Sequence, residues 1–70
     1  MMKLSNIEEM VYIGIYSFIK KHHYSPSVRD LCEMLDRSPA TIHKHLKDLK
    51  KKEFIDYKEK QSRTIIIKER

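Results

Sequence analysis

Seventy residues are enough for one domain with a single compact core, and they leave little material for the pocket an enzyme would need beside it. Hydrophobic residues make up 40% of the chain and charged residues 36%, a mix that suits a folded soluble domain and argues against disorder. The net charge of +5 is unevenly placed: residues 1–36 sum to −1, residues 37–52 to +5 and residues 53–70 to +1, so one short stretch has the footprint of a polyanion-binding surface.

The first segment opens on Ser5 and Glu8, the spacing of a capping box in which each side chain satisfies the other's orphan amide. Leu4, Ile7, Met10, Val11, Gly14, Ile15 and Phe18 then recur at helical spacing, which predicts a helix over about 5–22 with one apolar stripe. Gly14 lies in that stripe, where close approach of a neighbouring backbone would compensate for its cost of about 1 kcal/mol against alanine. Tyr12, Tyr16 and Ile19 fall on the other side and form a candidate protein interface. The run Met10 to Ile19 is too short to span a bilayer and lacks signal-peptide character, so no membrane partner is expected.

Tyr24-Ser25-Pro26 ends this helix, because proline disfavours helical geometry at the residue before it. Ser27 caps a second helix over about 27–35, with Val28, Leu31, Cys32 and Leu35 on one face. Cys32 is the single cysteine; it reads as a small core residue, and its lack of a disulfide partner fits a reducing compartment. After the short turn at Asp36-Arg37, Ser38-Pro39 places a cap and a first-turn proline at the head of a third helix over about 38–52. Ile42, Leu46 and Leu49 face its core side with His45 at the margin, while Ala40, His43, Lys44, Lys47 and Lys51 face away and Thr41 lies at the rim. Two β-branched and aromatic runs, Phe54–Tyr57 and Thr64–Ile67, flank the polar stretch 58–63 and predict a hairpin over about 54–68.

The predicted fold class is α+β, mainly α: three helices followed by a β-hairpin wing, in one winged helix-turn-helix domain. Two helices joined by a short turn, the second with a basic outward face, form the helix-turn-helix pattern. A helix about 10–12 Å across fits a B-DNA major groove about 12 Å wide. Ser38, Pro39, Ala40 and Thr41 are compact enough to let the backbone approach base edges. His43 and Lys44 suit guanine O6 or N7, and Thr41 can set its methyl against that of thymine. Lys47 and Lys51 suit phosphates, as do Ser27 and Arg29 at the start of the second helix. In the wing, Lys58, Lys60, Gln61 and Arg63 crowd one loop that would reach an adjacent minor groove. Double-stranded DNA is therefore the expected partner.

On the segments Ser25-Pro26-Ser27-Val28-Arg29-Asp30-Leu31 and Arg37-Ser38-Pro39-Ala40-Thr41-Ile42-His43-Lys44-His45-Leu46, and on the ending Phe54-Ile55 followed by Ser62-Arg63, the sequence resembles the N-terminal DNA-binding domain of the LexA repressor family. The resemblance runs from Leu4 to Ile67 and implies a winged helix that reads operator DNA through Ser38, Ala40, Thr41, His43 and Lys44, as a repressor-like transcriptional regulator in the cytoplasm of a bacterial or phage-like system. The family has glycine near Asp36 and again at Glu53; glutamate suits left-handed geometry poorly, so the end of the third helix is expected to differ. The sequence stops before the family's linker and self-cleaving serine–lysine protease domain, so self-cleavage is not expected, and any homodimer should be weak or use another surface.

Competing chemistries find less support. His43 and His45 are two apart on a helix and point in different directions, and His22-His23 close a helix where cations suit the dipole, so no metal site is expected. No cofactor, small-molecule ligand or catalytic residue is indicated. The alternatives are a protein-binding winged helix that uses the first-helix patch, and the DNA-binding module of a replication or plasmid-maintenance protein.

Overall fold

A computed structural model describes residues 4–68. Three helices, α1 (Asn6–His22), α2 (Val28–Leu35) and α3 (Pro39–Lys51), precede two short strands, β1 (Ile55–Asp56) and β2 (Ile66–Ile67), which pair antiparallel with Ile55 opposite Ile67. The fold is a mainly helical winged helix-turn-helix. Each helix packs on the other two, and β1 lies against α3.

Local chemistry sets the helix boundaries. Ser5 and Glu8 form the reciprocal capping box of α1, and Ser27 and Asp30 form a second one on α2. Ser38 caps α3 through the Thr41 amide, with Pro39 in the first turn. At the C-termini, His23 (φ 65°), Asp36 (φ 54°) and Glu53 (φ 65°) all adopt left-handed geometry. The end of α3 is closed by the Glu53 amide to the Lys50 carbonyl and the Phe54 amide to the Leu49 carbonyl, both 3.0 Å. That is the Schellman arrangement. Glutamate takes this left-handed position, where two hydrogen bonds and the burial of Ile55 just beyond hold it.

The core consists of Val11 and Ile15 from α1, Leu31 from α2, Ile42, Leu46 and Leu49 from α3, and Ile55 and Ile65 from the hairpin. The apolar stripe of α1 is rotated from its predicted position. Met10 is exposed, whereas Tyr12 and Ile19 pack against the core, with Tyr12 edge-on to Phe54 at 5.9 Å between ring centroids. Gly14 is buried, but the nearest atoms a methyl group there would meet belong to the side chains of Leu35 and Leu31, at 3.6–3.8 Å. No backbone presses on it, so close backbone approach is not the reason for the glycine.

The strands are two residues each, shorter than the runs that predicted them. Lys60 (φ 61°) and Arg63 (φ 56°) turn the chain out of extended geometry, and Ile66 faces solvent, so only one face of the hairpin gains from burial. Side chains hold the loop instead. The Thr64 hydroxyl oxygen accepts from the Lys58 amide at 2.9 Å and lies 3.2 Å from the Gln61 carbonyl.

Candidate nucleic-acid interface

At about 100° per residue, the outward side of α3 runs from His43, next to the wing, across Lys47, Ala40 and Lys51 to Lys44. All five are exposed, as is Ser38, and Thr41 is half-buried. The Ser38 hydroxyl accepts from the Thr41 amide at 3.3 Å and donates to Thr41 Oγ1 at 3.1 Å. This fixes both side chains in the first turn.

Between α3 and the wing lies a cleft of about 370 Å³. Ser27 and Arg29 line it from the start of α2, His43 and Lys47 from α3, and Lys58, Lys60, Gln61 and Arg63 from the loop. Its floor includes Val28, Leu46 and Ile65. Three of the four predicted backbone residues (Ser27, Arg29 and Lys47) and the four wing residues thus surround one groove beside the helix predicted to read bases. Ser38, Ala40, Thr41, Lys44 and Lys51 stand outside it.

Basic side chains divide into two groups that the sequence does not separate. Arg29, Arg37, Lys44, Lys47, Lys51, Lys58 and Lys60 are exposed and form no ion pair among the described residues. Lys50, Lys52 and Arg63 are engaged internally. Lys50 Nζ donates to the Tyr57 carbonyl at 2.9 Å, stands 4.5 Å from the centroid of that ring, and is 3.6 Å from Asp56. Lys52 Nζ reaches Glu8 Oε1 at 2.8 Å. Glu8 is the one buried charged residue among the described residues, and its carboxyl is held below the ordinary glutamate range by the Lys52 hydrogen bond first, then by the Ser5 amide, against the opposing effect of burial.

Within the wing, Arg63 differs from Lys58 and Lys60 in having partners inside the protein. Its Nη1 donates to Asp30 Oδ2 at 3.0 Å and to the Ser25 carbonyl at 3.2 Å, and the guanidinium stands 5.1 Å from the Tyr24 ring centroid. It is thus engaged by the body of the domain while still bordering the cleft. Asp30 is held below the usual carboxylate range, chiefly by the Ser27 amide, then by the Ser27 hydroxyl and the charge of Arg63. The proposed interface on α1 also changes: of Tyr12, Tyr16 and Ile19 only Tyr16 is exposed, and it joins Met10 and Ile13 on one solvent face.

Sequence spacing gave no sign of a cluster beneath α3. Glu8, His45 and Asp48 bring ligand-type atoms within 4.8 Å of one another, and His45 Nδ1 is buried without a hydrogen-bond partner. The charge of Glu8 in this cluster is already balanced by Lys52. Charge compensation comes from distant parts of the chain, so only the folded structure reveals it.

Residues 1–64 match the family described as the LexA DNA binding domain. The chain belongs to that family. Among its relatives, the LexA repressor of Thermosipho africanus is 37% identical over 70 residues, covering all of this chain and 35% of that protein. The LexA repressor of Desulfatibacillum aliphaticivorans is 37% identical over 65 residues, covering 91% of this chain and 32% of that protein. That of Clostridium kluyveri is 36% identical over 67 residues, covering 94% and 33%. The chain therefore spans about a third of the length of these relatives. Among the described residues no helix is long and apolar enough to cross a membrane.

Proposed function

We propose that this domain binds double-stranded DNA with a sequence preference, as a repressor-like regulator, by laying α3 in the major groove. The observation that carries this reading is the outward side of α3. It joins a compact, internally hydrogen-bonded first turn to a row of lysines that form no ion pair among the described residues. Ser38, Ala40, Thr41, His43 and Lys44 meet the base edges, with His43 and Lys44 as donors to guanine and Thr41 against thymine. Lys47 and Lys51 meet phosphates on one side. Ser27 and Arg29 meet them on the other, where the free amides at the start of α2 add to the attraction. Lys58, Lys60 and Gln61 extend the contact along the cleft. In this role the domain is a binding module, not an enzyme.

Neutralising about five phosphates would give a log–log salt slope near −4 to −5. Selection from randomised duplexes tests the reading: a defined half-site should emerge, and His43→Ala or Lys44→Ala should relax it at particular positions by about 1–3 kcal/mol. Equal affinity for all duplexes and for unrelated polyanions would defeat it.

A second reading concerns pairing on a two-fold site. The exposed face of Met10 (44%), Ile13 (60%) and Tyr16 (48%) is the surface we assign to contact between two copies. Sedimentation of the wild type beside Tyr16→Lys decides it, since a monomer in both cases removes the idea.

A further inference from the structure

We infer that Arg63 is a positioning residue: it fixes the wing to the loop ahead of α2, and so sets where Lys58, Lys60 and Gln61 stand relative to α3. This rests on the DNA-binding reading for its consequence, but not for its geometry. The guanidinium has three partners from a part of the chain more than thirty residues away: the Asp30 carboxylate, the Ser25 carbonyl and the face of Tyr24. Beside it, the Ile65 amide donates to Ser25 Oγ at 2.9 Å, and Ser25 Oγ donates to the Pro26 carbonyl at 2.8 Å. The return arm of the wing is thus joined to the α1–α2 loop at two successive points.

Both sides of this joint are themselves held. Asp30 Oδ2, which receives Arg63, also accepts from the Ser27 amide at 3.1 Å in the capping box of α2. Tyr24 packs edge-on against Phe18, with ring centroids 5.4 Å apart, and lies beside His22. Pro26 is fully buried. Arg63 therefore meets partners that are themselves held; within the wing Thr64 ties Lys58 to Gln61, but that bond closes the loop on itself and does not fix it to the body of the domain. The strands are only two residues long, and Arg63 and Lys60 are both in left-handed geometry.

The energy of the ion pair is not the point. Arg63 and Asp30 side chains are 46% and 26% exposed, and such pairs contribute little stability. What the guanidinium supplies is direction, because a planar fork can donate to two acceptors while its face lies on an aromatic ring. A lysine at the same position keeps the charge but loses that geometry. This separates the brace from a phosphate contact, for which charge is what counts.

Hydrogen exchange of the Ile65 amide and of loop amides 58–64, measured on the free protein, tests the brace directly, with the Leu46 and Leu49 amides as internal references for global stability. In Arg63→Lys and Arg63→Gln the Ile65 amide should exchange at least tenfold faster relative to those references. Duplex affinity should fall about three- to tenfold in both variants, with the salt slope unchanged. Unaltered Ile65 exchange in both variants overturns the inference. So does an Arg63→Gln salt slope reduced by about 0.9, which would place Arg63 on a phosphate. If the wild type fails to bind any duplex, the functional reading fails, and the exchange measurement still decides whether Arg63 holds the wing.

Discussion

Removing one positive charge from the C-terminal half of the basic stretch should have opposite consequences at two positions five residues apart. Lys47 is exposed, lines the cleft and has no ion-pair partner among the described residues. Lys52 is 26% exposed, with its ammonium 2.8 Å from a carboxylate whose side chain is 6% exposed. Lys47→Met should leave stability within about 0.5 kcal/mol of wild type and reduce the magnitude of the salt slope by about 0.9, one phosphate contact. Lys52→Met leaves Glu8 buried and uncompensated. Breaking a fully buried pair costs about 3–5 kcal/mol, and partial exposure of Lys52 lowers the expectation to about 1–3 kcal/mol. At about 4–8 °C per kcal/mol for a domain of this size, the midpoint should fall by at least about 4 °C. The salt slope of the folded protein should not change, because the ammonium of Lys52 already serves Glu8. Thermal melts and duplex titrations at four or five salt concentrations give both quantities. If Lys52→Met lowers the slope as Lys47→Met does and leaves the midpoint in place, the division between internal and outward lysines is wrong.

Three further outcomes follow from particular contacts. Gly14→Ala should stabilise the domain by about 0.5–1 kcal/mol, since the added methyl meets Leu35 and Leu31 at ordinary van der Waals distance in a helix interior; a lowered melting midpoint would show that α1 and α2 pack more tightly than these distances allow. Glu53→Gly should also raise the midpoint. It removes a left-handed cost of about 1–2 kcal/mol, offset by glycine's entropy of about 0.5–1 kcal/mol and by an exposed 3.7 Å contact with Lys68, and a loss of stability would mean that glutamate is unstrained there. The third concerns acid. Because the folded-state pKa of Glu8 is depressed, its contribution is complete above the unfolded carboxylate range, near about 4.3, and is lost as pH falls through the lower folded value. Urea midpoints of the wild type should therefore decline on acidification below that range more steeply than those of Glu8→Gln, and parallel curves would refute the assignment.

The helix caps and the inner face of α3 could be read directly from the sequence, since capping chemistry is local and a 3.6-residue period needs only one stretch of chain. Ser5, Ser27 and Ser38 start the three helices, and Ile42, Leu46 and Leu49 line one side of the third. The outward residues His43, Lys44 and Lys47 were visible for the same reason. The rotation of α1 was not. Its two sides are almost equally apolar, so periodicity alone did not decide between Met10 and Ile19; the packing of Ile19 against the core did.

The charge imbalance, legible from composition, pointed to the stretch 37–52, but only the tertiary structure sorted its members. Lys52 reaches across to α1 and Lys50 turns to the backbone of Tyr57, while beyond that stretch Arg63 turns to Asp30 at the start of α2. Long flexible side chains take whichever partner the fold brings within reach, and Glu8 and Asp30 lie 44 and 33 residues away in the chain. The sequence by itself determined that this domain is helical, capped and basic on one helix. Which cations remain outside for a partner was decided by the close approach of distant elements, because a long side chain is engaged only where the fold brings a carboxylate, a carbonyl or a ring within its reach.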